Sequence, residues 1–239
     1  AESLIRQFKL REILRIGIRD IYLDVELTDI TRHLSNLADA VVQIVLEQHA
    51  SPEQQKHFCI LAFGKLGGKE LNYSSDIDLI GVHDDPDNDK KYLQLMERIC
   101  KDIDHHSAAG HLYRVDLRLR PYGRAGTISV NRNRFVRYYR DQSALWEKQA
   151  LLKIRPVAGS RKLGQKIMAD VSGILHVSFN PQEVAGSIEH MRQIAVKCLS
   201  SGIQSGIDVK NDRGGIRDIE FLTQGLQLMY NYSFKHKLI

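Results

Sequence analysis

The chain has 239 residues, 43% of them hydrophobic, which supplies a sizeable core and excludes wholesale disorder. Lys and Arg exceed Asp and Glu by 34 − 29 = 5, a surplus that suits an anionic ligand or partner. It is too modest, with aromatics at 7% and no stacking cluster, to point to a nucleic-acid binder. No apolar run approaches the roughly 18 residues of a membrane span, and no signal peptide is visible. Cys59, Cys100 and Cys198 are scattered and odd in number, so they read as reduced, mostly buried thiols of a cytoplasmic protein. The chain starts at Ala1 without Met, which suggests part of a longer polypeptide.

Apolar residues spaced by three and four predict helices over 4–23 and 29–48. Ser51-Pro52 interrupts that pattern. Short apolar runs predict strands over 57–63, ending at Gly64, and over 77–83. After the polar loop 84–89, Leu93, Met96, Ile99, Cys100 and Ile103 lie on one face of a helix. Residues 112–119 alternate, with Val115, Leu117 and Leu119 on one side and Arg114, Asp116, Arg118 and Arg120 on the other. That is the pattern of a half-buried strand with a charged face. The remainder reads as helical over 133–139, 144–153, 163–175, 181–200 and 216–230, with Gly214-Gly215 opening the last helix. The expected class is α+β: a small mixed sheet core at 51–160, an N-terminal helical segment at 1–50 and a C-terminal helical region at 161–239.

The segment that carries chemistry is Gly64-Lys-Leu-Gly-Gly-Lys-Glu-Leu-Asn-Tyr-Ser-Ser-Asp-Ile-Asp78. Period-2 geometry places Asp76 and Asp78 on one strand face. Two carboxylates so close repel each other unless a cation lies between them, and the pair can hold Mg²⁺ against a nucleotide. The glycines Gly67 and Gly68 offer backbone N–H groups to phosphate, without the spacing of a P-loop or a GxGxxG fingerprint. Lys65 and Ser75 are assisting candidates. Asp116 is a third carboxylate, with arginines beside it that could neutralise phosphate. Arg118, Arg120, Lys153 and Arg155 are the candidates for a phosphate pocket. His105-His106 has no carboxylate or Cys at ligand spacing, so no zinc site is expected.

This set resembles the nucleotidyltransferase superfamily, whose small mixed sheet is shared with DNA polymerase beta. Four stretches look more narrowly like the glutamine synthetase adenylyltransferase and adenylyl-removing family. They are residues 64–80, Tyr113-Arg-Val-Asp-Leu-Arg-Leu-Arg-Pro121, Trp146-Glu-Lys-Gln-Ala-Leu-Leu-Lys-Ile-Arg-Pro156 and Gly214-Gly-Ile-Arg-Asp-Ile-Glu-Phe221. The resemblance implies a nucleotidyltransferase core in which Asp76, Asp78 and Asp116 are catalytic and bind Mg²⁺. It implies adenine nucleotide, phosphate and glutamine synthetase as ligands and partner, with a PII-type signal protein as an effector. Family members carry two such units, one removing AMP from a tyrosine of glutamine synthetase by phosphorolysis, the other attaching it from ATP. The Asn72-Tyr73-Ser74 wording resembles the removing unit, and 239 residues are too few for both. Two alternatives stay open: attachment from ATP, and a nucleotide-sensing module without turnover.

Overall fold

The computed structural model describes residues 2–106, 110–199 and 208–230, with side chains left out at 2 and 195–199. It divides into two units, one of residues 1–138 with 153–170, the other of residues 139–152 with 171–239.

The first unit starts with two helices, α1 (Glu2–Tyr22) and α2 (Leu27–His49). On α2 the apolar positions Ile30, Leu34, Leu37, Ala38, Val41, Val42, Val45 and Leu46 are buried, the stripe that three-and-four spacing demands. The Ser51-Pro52 interruption is itself a helix start, α3 (Pro52–Lys56). Ser51 Oγ accepts from Gln54 N, and Gln54 Oε1 accepts from Ser51 N, with Pro at the first helical position. Ser51→Ala should cost about 1 kcal/mol, read as a lower urea midpoint at unchanged slope.

β1 (Phe58–Phe63) is buried throughout. A four-residue turn of helix, α4 (Gly64–Gly67), follows at once. β2 (Ile77–His83) pairs antiparallel with β1, and along its length only Asp78 is not fully buried. α5 (Asp89–Asp104) buries Tyr92, Leu95, Met96, Ile99, Cys100 and Ile103. Two short strands then run parallel to β2: β3 (Val115–Asp116) at its start and β4 (Ser129–Asn131) at its end. After α6 (Arg132–Asp141) and α7 (Leu145–Ala150), β5 (Arg155–Gly159) pairs antiparallel with β1. The order is β3-β2-β1-β5, with β4 also on β2. Residues of α1, α2, α5 and the sheet share one hydrophobic core, so the first fifty residues are part of the same packed body as the strands. The mixed sheet with helices before and after it is the expected α+β class.

Two departures from the sequence reading have physical causes. The expected strand over 112–119 shrinks to two residues because the Asp116 carboxylate accepts the Arg118 backbone N–H at 2.8 Å. A side chain that captures the amide two residues on turns the chain out of the ladder. β5 lies between the expected helices 144–153 and 163–175, where the sequence reading placed no strand, and it contains Pro156. Proline lacks a donor and is confined to edges and irregularities; β5 is the sheet's edge, and its register with β1 shifts between Ile60 and Leu61. β4 likewise falls in 121–132, where the sequence reading placed no element.

In the second unit, α9 (Pro181–Leu199) packs on α10 (Ile216–Met229), and α7 packs on both. Gly225 lets the two longer helices approach, since a Cβ there would stand 2.4 Å from Ile188 Cδ1. Gln149 Nε2 donates to Gln224 Oε1 at 2.7 Å. Gly215 precedes α10, and Asp218 accepts the Gly214 N–H at 2.8 Å, so the Gly-Gly-Ile-Arg-Asp stretch is a helix start. Residues 161–170 of α8 (Arg161–Leu175) belong to the first unit. Among the described residues no helix is long and apolar enough to cross a membrane.

Candidate active site

β2 and β3 place the candidate carboxylates. In their parallel register Ile77 stands opposite Val115, and Asp78 opposite Asp116. Partners on neighbouring strands are about 5 Å apart and share a face, so Asp78 and Asp116 are side by side. Asp76 sits one residue before the strand begins.

The three differ in electrostatics. Asp78 is pushed up to about 6, first by burial and then by the negative charges of Asp116 and Asp76, with Arg118 opposing. Burial also pushes Asp116 up, but the Arg118 guanidinium and backbone N–H, with Arg114 behind them, outweigh it and hold that carboxyl below the usual range. Arg118 Nε donates to both Asp116 oxygens, at 3.0 and 2.8 Å. Arg114 Nε donates to Asp76 Oδ1. Two carboxylates therefore have guanidinium counterions, while Asp78 has a destabilised charge. Replacing Arg118 with Gln should move the Asp116 titration upward, read from carbon chemical shifts of the carboxyl group against pH.

The donor chemistry of this face suits a hard divalent cation, because Asp78 and Asp116 stand side by side and the charge of Asp76 is also felt at the half-buried Asp78, with only Arg118 opposing. Yet among the described residues no three His, Cys, Asp or Glu side chains form a ready-made metal cage. A cation here would have to replace the arginines as the carboxylates' counterion.

The glycine segment stands directly against Asp78. Gly64 has φ +55°, and a Cβ on it would meet Asp78 Oδ2 at 2.7 Å. Gly67 is packed more tightly still, with a would-be Cβ 1.8 Å from the Lys153 carbonyl and 2.7 Å from that of Ala62. Gly68 N–H donates to Gly64 O and Lys69 N–H to Leu66 O, so these amides close the turn itself. Ser75 Oγ is bonded to Asn72, donating to its Oδ1 and accepting its N–H. Lys65 is on α4 and half-exposed.

The four basic candidates separate. Arg118 lies on the Asp116 carboxylate. Arg120 donates to the carbonyls of Leu117, Gly126 and Arg124, and so braces its own loop. Lys153 Nζ donates to Glu70 Oε2 at 2.6 Å. Arg155 forms a double hydrogen bond to Asp39 on α2 at 2.7 and 2.9 Å, and also donates to carbonyls at the end of α4. Sequence reasoning missed Asp39 and Glu70 as site residues, and it placed Arg114 beside Asp116 as a phosphate-neutralising arginine where the structure sets it on Asp76. No spacing rule could find Asp39, since it meets Arg155 across 116 positions.

A family model described as glutamate-ammonia ligase adenylyltransferase matches residues 1–170. The chain belongs to that family. The match ends at the residue where the first structural unit ends. A second model, described as GlnD PII-uridylyltransferase, matches residues 182–239. Among curated proteins, the chain is 38% identical over 253 aligned positions to the bifunctional glutamine synthetase adenylyltransferase/adenylyl-removing enzyme of Idiomarina loihiensis, which covers 96% of this chain. The chain spans 27% of that relative's length.

Cys59 and Cys100 are free and buried, and burial pushes both thiols up to about 12, so neither is a nucleophile at neutral pH. Cys198 lies outside the described side chains.

Proposed function

We propose that the first unit is a Mg²⁺-dependent nucleotidyltransferase that removes AMP from the adenylylated tyrosine of glutamine synthetase. The observation that carries this is the pairing of Asp78 with Asp116 in register on adjacent parallel strands, with Gly64 against the Asp78 carboxylate. Family membership narrows the substrate to the one that the relative's name prints.

In removal, an oxygen of inorganic phosphate attacks the AMP phosphorus as the bond to the tyrosine oxygen breaks. The phenolate takes up a proton, and ADP departs. Asp76, Asp78 and Asp116 would hold the Mg²⁺, which when bound supplies neutralisation of the phosphoryl oxygens. Arg114 and Arg118, released from their carboxylates, are placed to meet phosphate charge, and a fork of parallel donors suits that task. Buried, reduced thiols fit work in the cytoplasm.

The test combines the chain with adenylylated glutamine synthetase, Mg²⁺ and phosphate, and follows ADP. Phosphate-dependent ADP is expected. Its absence, with label passing instead from α-labelled ATP to unmodified glutamine synthetase, would establish the attaching direction, the second reading that the family's description favours. Nucleotide binding by calorimetry without either product would leave a sensing module. The match of residues 182–239 to a PII-uridylyltransferase model supports a PII-type protein as a partner of the second unit. Biosensor binding of a PII protein to the chain is expected, and a flat response at micromolar concentrations would remove that partner.

A further inference from the structure

We infer that Arg155 is a positioning residue rather than a phosphate ligand: together with Asp39 it clamps the glycine turn so that the turn holds the Asp78 carboxylate in place. The inference rests on the nucleotidyltransferase reading above and adds to it two residues outside the carboxylate set.

A guanidinium has five N–H donors, and Arg155 makes five hydrogen bonds within the protein. Nη1 donates to Asp39 Oδ2 at 2.7 Å and to Pro156 O at 3.3 Å. Nη2 donates to Asp39 Oδ1 at 2.9 Å and to Leu66 O at 2.9 Å. Nε donates to Gly67 O at 3.3 Å. No donor is left over for a phosphate. Leu66 and Gly67 are the last residues of α4, and a helix end leaves carbonyls with acceptor capacity to spare: Leu66 O already takes the Lys69 N–H and has a second lone pair. Arg155 adds a side-chain donor to both carbonyls and, through Asp39, ties them to α2, a long helix in the core.

The other end of the turn is the one that touches chemistry. Gly64 abuts Asp78 Oδ2, and Gly67 is in contact with the Lys153 carbonyl, so the turn cannot slide without moving the carboxylate or opening the packing. α2 grips the segment a second time. Buried Ser35 Oγ accepts the Leu71 N–H at 3.2 Å and donates to Thr31 O. A misplacement of about 1 Å in a reacting group can cost about 100-fold in rate, so a brace of this kind is worth more to turnover than to binding.

The test uses Asp39→Asn, Arg155→Lys and their double variant in the full chain. Lys retains the charge a phosphate ligand needs but lacks the fork. Expected is a fall in kcat for AMP transfer of at least about tenfold in each single variant, with the nucleotide KM unchanged within about twofold. The double variant should be no worse than the singles, and Asp39→Glu should recover part of the rate. Hydrogen exchange of the Gly68, Lys69 and Glu70 amides should accelerate, with β2 amides unchanged as the internal reference for global stability. A raised KM in Arg155→Lys with normal kinetics in Asp39→Asn would overturn the inference and make Arg155 a ligand. So would unchanged exchange at 68–70 in both variants. If the unaltered chain transfers AMP in neither direction, the functional reading fails by itself, and amide exchange still decides the clamp.

Discussion

Asp78→Asn is expected to abolish AMP transfer and, at the same time, to stabilise the metal-free protein. The loss should reach at least about 10²–10³-fold in kcat, the scale for removing a group aimed at developing charge. The gain follows from the carboxyl's surroundings. Burial and two neighbouring carboxylates raise it from 3.8 to about 6. An acid raised in this way favours the folded state when protonated. That stability is fully present below pH 3.8 and is lost as pH rises through about 6. At pH 7 the penalty approaches about 3 kcal/mol, from about two pK units at 1.36 kcal/mol each. Asparagine keeps the shape without the charge, so the midpoint of thermal unfolding should rise by several degrees at pH 7, and the difference should vanish near pH 4. Added Mg²⁺ should stabilise the unaltered protein and leave the variant unmoved. A variant that is less stable than its parent at pH 7 in chelator would show that Asp78 is satisfied by some other group.

Gly67→Ala is expected to be strongly damaging to both stability and activity. Its Cβ would stand 1.8 Å from one backbone carbonyl and 2.7 Å from another, and neither belongs to a flexible side chain. Relief requires the α4 turn and the segment before β5 to part, which breaks the Arg155 contacts as well. Overpacking of this kind costs about 1–3 kcal/mol or more, read as a lower denaturant midpoint, and activity should fall with it. Gly64→Ala separates the two effects. Left-handed φ costs about 1–2 kcal/mol for a residue with a side chain, and the added methyl presses on Asp78 Oδ2 rather than on backbone. Activity should therefore fall further in Gly64→Ala than its loss of stability accounts for. Equal activity-to-stability losses in the two variants would argue against a role for the turn in placing Asp78.

Much of the first unit was legible in the sequence because its signals are local. The β1 strand over 58–63 is an uninterrupted apolar run, β2 over 77–83 is an apolar run broken at Asp78, and α2 and α5 show apolar stripes that need no knowledge of what covers them. Asp116 was legible because the alternation around it marks a strand face, even though the strand itself is only two residues long. What stayed hidden depends on partners distant in the chain. β5 is held by its neighbour and a bulge rather than by propensity, and Pro156 argued against it.

By itself, then, the sequence determined which residue types are available for the chemistry: a glycine turn, an Asp-x-Asp and a later aspartate, with the family these belong to. Short-range periodicity and residue identity carry that information. Only the tertiary structure decided how the cations are used. Arg118 and Arg155 look alike as basic residues on a line of text, but one lies on Asp116 and the other spends all its donors on Asp39 and the backbone. The reason is physical: a guanidinium's role is set by which acceptors lie within about 3 Å of its fork, and those acceptors come from α2 and α4, brought together by burial of a shared core.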